Sequence, residues 1–152
     1  MTQQNIITFT KVKQPYGWLG NMAPYKMVYN NLEFKTSEAS FQAMRFSDNL
    51  IIEDIRSRTS PMSAKMCAKK NKEKMIVTPM SDKDVENMKL TLLLKLKYNP
   101  ELIQKLLETN NSQIIEDTTA RPNTSGLFWG QAMIESHWTG KNILGKLWMK
   151  IR

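Results

Sequence analysis

The chain has 152 residues, 41% of them apolar and 24% charged, with 22 Lys plus Arg against 14 Asp plus Glu. At roughly 100–200 residues per domain this is one domain spanning 1–152, and the apolar share excludes a disordered tail. No apolar run approaches the roughly 20 residues that cross a bilayer, so no membrane association is expected. With Cys67 as the only cysteine and His137 as the only histidine, an intramolecular disulfide is excluded and no metal site is expected. The first nine residues, Met1 to Phe9, lack the basic region and apolar core of a signal peptide, and the lone cysteine suits a reducing compartment, so the cytoplasm is the expected location. The net charge of +8 favours polyanions, nucleotides or phosphorylated metabolites as partners, including nucleic acid contact through a basic surface. The plain alternative is a solvated, solubilising lysine face such as Lys69 to Lys74.

In chain order, residues 5–12 are β-branched and partly alternating, which predicts a strand. Met27-Val28-Tyr29 and Leu32-Glu33-Phe34 flank Asn30-Asn31, and asparagine tolerates the positive φ of a tight hairpin turn. From about residue 37 the pattern turns helical. Ser37 is the predicted cap of a helix through Glu38, Phe41, Gln42, Arg45 and Phe46, and Ser47 or Asp48 starts a second with Ile51, Ile52 and Ile55 on one side. Ser60-Pro61 places proline in a first turn, where its missing N–H costs nothing. Ser81 caps the longest helix, with Asp84 near its positive end and Val85, Met88, Leu92 and Leu96 as a buried stripe. Asn99-Pro100 repeats the cap-then-proline device before the apolar face Leu102, Ile103, Leu106 and Leu107. Ile143, Leu144, Leu147, Trp148 and Ile151 line a last helix. Six helical segments and a small N-terminal β-strand and hairpin element give a mainly α domain.

Several catalytic schemes are absent. There is no phosphate-binding glycine loop for a nucleotide and no Gly-x-Ser-x-Gly nucleophile turn to accompany His137, which reads as a loop residue before Gly140. Cys67 reads as a small buried hydrophobe, since nothing nearby in sequence lowers a thiol pKa.

Three features remain. Tyr16 to Met22 is a loop rich in glycine and aromatic residues. Thr36 to Ala43 places Glu38 in the first turn of a helix, where simple attraction to the helix dipole is the alternative explanation. Phe128-Trp129-Gly130 followed by Gly140 to Arg152 offers rings to stack a flat base and a helix start for a phosphate, with core packing as the alternative.

Taken together these segments resemble the YbiA-like family, also called NADAR (NAD and ADP-ribose related), over nearly the whole chain and in the family's order. The matching segments are Trp18-Leu19-Gly20-Asn21; the Thr-x-Glu-x-x-Phe-Gln-Ala helix at Thr36, Glu38, Phe41, Gln42 and Ala43, with Arg45-Phe46 for the usual Lys-Phe; and Ser60 to Lys65. Met88 with Lys97, Asn99 to Leu102 and Leu106-Leu107 match the long-helix region. Ile115-Glu116-Asp117-Thr118 matches an acidic turn, and Trp129-Gly130 with Gly140-x-Asn142-x-Leu144-Gly145 to Arg152 matches the C-terminal block.

The resemblance implies a mainly helical protein that hydrolyses N-glycosidic bonds without a cofactor. Implied substrates include phosphoribosylated intermediates of riboflavin synthesis and ADP-ribose attached to guanine or other acceptors, whether small molecules or nucleic acid. Breaking an N-ribosyl bond builds oxocarbenium character at C1, which a nearby carboxylate stabilises while it activates water. Glu38 is the candidate for that role, and Glu116 is a second carboxylate for the leaving group, or else a surface residue near a helix end. Asn21 and Gln42 would orient the sugar or base, Trp129 and Phe128 would stack on a ring, and Arg45, Lys65 and Lys141 would meet phosphates. Trp18, Phe41, Gly130 and Asn142 complete the implied substrate-binding set through their motif positions.

The chain also departs from the pattern: Gly126 stands where many relatives carry aspartate, Trp129-Gly130 continues as Gln131-Ala132 where theirs continues as Asp-Gly, and Arg121 to Thr124 reads as extra loop. These departures keep a second reading open, a catalytically weakened module that binds ADP-ribose or nucleic acid. A purely structural helical protein leaves Asn21, Gln42 and Trp129-Gly130 unexplained.

Overall fold

The computed structural model describes residues 4–152. In chain order the elements are β1 (Ile6–Phe9), β2 (Met27–Tyr29), β3 (Leu32–Phe34), α1 (Ser37–Ala43), α2 (Asn49–Ser57), α3 (Pro61–Lys70) and α4 (Asp82–Tyr98). There follow α5 (Glu101–Glu108), β4 (Gln113–Glu116), α6 (Thr124–Trp129), β5 (Ala132–Ile134), β6 (His137–Thr139) and α7 (Ile143–Ile151). The architecture is mainly α with short strands, and among the described residues no helix is long and apolar enough to cross a membrane. The elements form two compact units, Asn21–Pro100 and a second made of the chain up to Gly20 with Glu101–Arg152.

In the contiguous unit, β2 and β3 form an antiparallel hairpin with Val28 opposite Glu33. Asn30 and Asn31 take φ of 51° and 62°, the left-handed pair that a two-residue hairpin turn requires. Met27 and Phe34 of the hairpin join Ala39, Ala43, Phe46, Ile51, Ile55, Ala64, Cys67 and Ala68 in one core. The alanines of α1 and α3 let the helices approach closely, and burying this surface stabilises the unit by roughly 25 cal/mol per Å² of apolar area. Helix starts follow local chemistry: Asp48 accepts from Leu50 N and Ile51 N, Ser60 from Ser63 N, and Ser81 from Asp84 N. The cap of α1 is Thr36, not Ser37. Thr36 is extended and its Oγ1 accepts from Ala39 N at 3.1 Å, while Ser37 is already helical and buried. Of the predicted stripe on α4, Met88, Leu92 and Leu96 are buried and Val85 is half-buried.

In the other unit, β1 runs parallel to β4, with Ile6 opposite Gln113 and Phe9 opposite Glu116. Helix α7 lies on β4 through Leu144, Leu147 and Trp148, and the Trp148 indole donates to Leu19 O at 2.9 Å. Gly145 makes this approach feasible, because a Cβ there would overlap the Ile114 carbonyl oxygen and sit 2.5 Å from Asn142 Nδ2. Gly145→Ala is therefore expected to cost about 1–3 kcal/mol by overpacking, read as a lower denaturation midpoint; a midpoint equal to wild type would contradict this contact.

The unit departs from expectation in four places. On α5 only Leu102 and Leu106 are buried, while Ile103 and Leu107 are 44% and 52% exposed, since a helix of eight residues turns only a narrow stripe inward. Ile115 and Glu116 belong to β4 rather than to a turn. Residues 121–124, which read as extra loop, lead into α6, where the Asn123 side chain accepts from Gly126 N at 2.7 Å and caps six helical residues. His137 is in strand β6, paired with Ile134 across the turn residues Glu135 and Ser136 at φ 49° and 67°.

Candidate active site

The predicted site residues fall into two groups, one in each unit. In the contiguous unit, every residue of α1 is buried, including the polar Ser37, Glu38, Ser40 and Gln42. A polar helix face kept from water must find partners or cost free energy, so its bonds are informative. Glu38 is 8% exposed, and its backbone N–H donates to Asn21 O at 3.0 Å, fixing the loop before the hairpin to the first turn of α1. Gln42 Nε2 donates to Glu38 Oε1 at 2.8 Å, one turn along the helix. Arg45 donates from its NH1 nitrogen to Gln42 Oε1 at 3.1 Å and grips Asp84 of α4 with its other two nitrogens, at 2.9 and 2.6 Å. Its guanidinium also lies 4.6 Å from the centre of the Phe41 ring.

Asn21, Glu38, Phe41, Gln42 and Arg45 therefore meet in one buried cluster. Asn21 Nδ2 lies 3.2 Å from Met88 Sδ, and Asn21 Oδ1, Ser37 Oγ and Ser40 Oγ are buried with no partner. A buried amide oxygen with nothing to accept is suited to an incoming donor such as a sugar hydroxyl. Lys65 lies on α3, half-buried.

Two buried residues of α4 that sequence reasoning did not single out as functional lie in the same unit. Asp84, expected only to complement a helix end, is fully buried in the ion pair with Arg45. Lys95 is fully buried, with its ammonium 5.3 Å from the centre of the Tyr25 ring. Burial pushes its pKa down from 10.5 to about 7, so a large fraction is a neutral amine at neutral pH, able to accept a proton. The sequence did hold a signal for it: Lys95 lies seven residues after Met88, on the buried face of α4.

In the other unit, Phe128 and Trp129 meet edge to face, with ring centres 4.9 Å apart, and Lys141 Nζ is 5.5 Å from the Phe128 ring. Trp129 is only 8% exposed and Phe128 half-buried, so Phe128 is the more accessible ring. Trp18 is likewise buried, edge-on to Trp148 at 6.3 Å, with Lys105 Nζ at 6.0 Å from its ring.

Gly130 is held by close approach, since a Cβ would overlap Glu116 O and stand 2.7 Å from Thr118 Cγ2. Asn142 adopts a left-handed φ of 53°, and its amide is engaged by β4: Nδ2 donates to Ile114 O at 2.8 Å and Oδ1 accepts from Glu116 N at 3.1 Å. Its visible work is to join α7 to β4. Glu116 is half-buried at the end of β4. At Gly126 a side chain would overlap Arg121 O, so the turn that caps α6 occupies the space an aspartate would need. Among the described residues no group of His, Cys, Asp and Glu side chains is arranged to hold a metal ion.

The chain is similar in sequence and fold to several known proteins. A family model described as the NADAR domain matches residues 8–152. The N-glycosidase YbiA of Escherichia coli (strain K12) is 31% identical over 150 residues, covering 99% of this chain and 88% of that protein. An N-glycosidase of Acanthamoeba polyphaga mimivirus is 43% identical over 67 residues, 39% of this chain and 36% of the relative. The NMR structure of E. coli YbiA superposes with a TM-score of 0.81 at 29% identity, covering 100% of this chain and 85% of that one.

Proposed function

Because the chain belongs to the NADAR domain family, we propose that it is a hydrolase of N-glycosyl bonds and that its substrate is a phosphorylated, nucleotide-like N-riboside. Its named relatives are N-glycosidases. The substrates that suit the site are an ADP-ribose conjugate, such as ADP-ribosylated guanine, and a ribosylamino-pyrimidine phosphate. The observation that carries this reading is the buried Glu38 carboxylate, which accepts from Gln42 Nε2 at 2.8 Å on a helix turn whose Glu38 N–H is bonded to the backbone oxygen of Asn21.

In the reaction the bond from C1 of ribose to the base nitrogen breaks, water supplies the new C1–O bond, and the base leaves with a proton. Positive charge develops at C1 before water has bonded. A fixed carboxylate lowers the energy of that charge without having to reorient during the reaction, and it draws the proton from the attacking water. Asn21 and Gln42 hold sugar hydroxyls or the base. The proposed setting is the cytoplasm, and contact with nucleic acid through the lysine-rich surface belongs to the case in which the conjugate is nucleic acid.

The test is hydrolysis of a guanine-ADP-ribosylated oligonucleotide and of a ribosylamino-pyrimidine phosphate, with release of base or sugar followed by chromatography. Turnover of either supports the reading. Stable binding with no product, seen by calorimetry, would establish a binding module in its place. Where the oligonucleotide is the substrate, KM is expected to rise steeply with salt as lysine contacts release counterions.

A further inference from the structure

Asp84 has no solvent exposure, and its carboxylate collects the N–H groups of Arg45 Nε (2.9 Å), Arg45 NH2 (2.6 Å) and Met80 (2.8 Å). Met80 reaches it from a left-handed φ of 65°, a conformation unfavourable for a long side chain and held by its surroundings. Clamped on two nitrogens, the Arg45 fork has its third directed at Gln42 Oε1. A guanidinium can only donate, so it determines which end of the Gln42 amide faces it. The oxygen must turn to Arg45, and the NH2 group must then turn to Glu38. The flipped amide would set NH2 against guanidinium and C=O against carboxylate, two repulsive contacts in place of two charge-assisted bonds.

We propose that Asp84 is a positioning residue for the Glu38 carboxylate, acting through Arg45 and Gln42. The inference rests on the reading of Glu38 as the group beside the anomeric carbon. It also reassigns Arg45, expected from the sequence to meet phosphate, to orienting Gln42. An ion pair that served only to join the segment after α1 to α4 would need no bond onward to Gln42, and buried ion pairs are in general poor stabilisers compared with apolar packing.

The experiment compares wild type, Asp84→Asn, Arg45→Lys and, as a core control outside the cluster, Ile55→Val. Exchange of the Gln42 side-chain amide protons with water is followed by NMR, a measurement that needs no substrate. Asp84→Asn is expected to accelerate it at least tenfold, and Ile55→Val to leave it unchanged. Arg45→Lys keeps a cation for Asp84 but lacks the planar fork that reaches Gln42 as well, so it is expected to match Asp84→Asn and serves if that variant does not fold. On whichever substrate wild type hydrolyses, Asp84→Asn is expected to lower kcat about tenfold with KM within twofold. On a Glu38→Gln background the same change is expected to have less than a twofold effect.

Unchanged Gln42 exchange in both variants would overturn the proposal. So would a kcat loss of equal size on the Glu38→Gln background. If wild type hydrolyses neither substrate, the proposed activity falls, and the exchange measurement still decides the relay.

Discussion

Glu38→Gln is expected to lower kcat by about two to four orders of magnitude, the range that removal of a positioned acid–base group produces. The change removes the negative charge and the proton acceptor and little else. Gln42 Nε2 donates to Glu38 Oε1, and the new amide can present its own oxygen to that donor. KM and the thermal midpoint should therefore stay close to wild type, since the ground state loses charge but not shape. If the variant kept more than a tenth of wild-type kcat, the carboxylate would have no part in the chemistry. A variant equally inactive but with a collapsed midpoint would assign Glu38 a structural role.

The second large effect concerns stability against pH and follows from Lys95. In the folded chain its pKa is lowered to about 7, against 10.5 for an exposed lysine. Between those values the unfolded chain holds a proton that the folded chain has released. Stability therefore rises with pH across this window, by at most about 1.4 kcal/mol per pH unit from this one group. Below pH 7 both states are protonated and the full penalty of the buried charge is present. Burial and the Asp54 carboxylate raise the Cys67 thiol pKa, which has the opposite effect once unfolded thiols ionise near pH 9, so the clean window is pH 7 to 8.5.

Within it, wild type should gain about 1.6 kcal/mol in urea unfolding, while Lys95→Met, similar in length and uncharged, should show a flat profile. The same variant is expected to be the more stable protein at pH 7, because it no longer buries an ammonium. A slope that persists in Lys95→Met would place its origin in another group.

The parts of the fold legible in the sequence are those specified by neighbours a few residues apart. Asn30-Asn31 marks a turn because its residues accept positive φ, and Ser60-Pro61 and Ser81 mark helix starts because a cap acts on N–H groups two or three residues ahead. The exchange of Ser37 for Thr36 at the start of α1 is a one-residue ambiguity between adjacent hydroxyls, settled by which residue is extended. Strand β4 was hidden for a different reason: its four residues acquire their meaning only from pairing with β1 more than a hundred positions earlier. Helix α6 is shorter than two turns, so it shows no periodicity, and only the Asn123 cap announces it.

The site divides in the same way. Glu38 and Gln42 are one turn apart and visible as a motif, whereas the partner of Arg45 is 39 residues away, and Asp84 alone looks like any acid at a helix start. Lys95 is unremarkable among the 22 basic residues until its burial is known.

The connectivity of β1 and β4 bears on how the molecule is made. At about 5–20 residues per second on the ribosome, β1 emerges several seconds before its parallel partner has been translated. The unit at Asn21–Pro100 is contiguous and can condense during that interval, leaving the nascent N-terminal strand as an unpaired edge. Its alternation of exposed and buried residues, with Ile6 outward and Ile7 and Phe9 inward, leaves the apolar face of that edge without its neighbour until β4 arrives to close the pair.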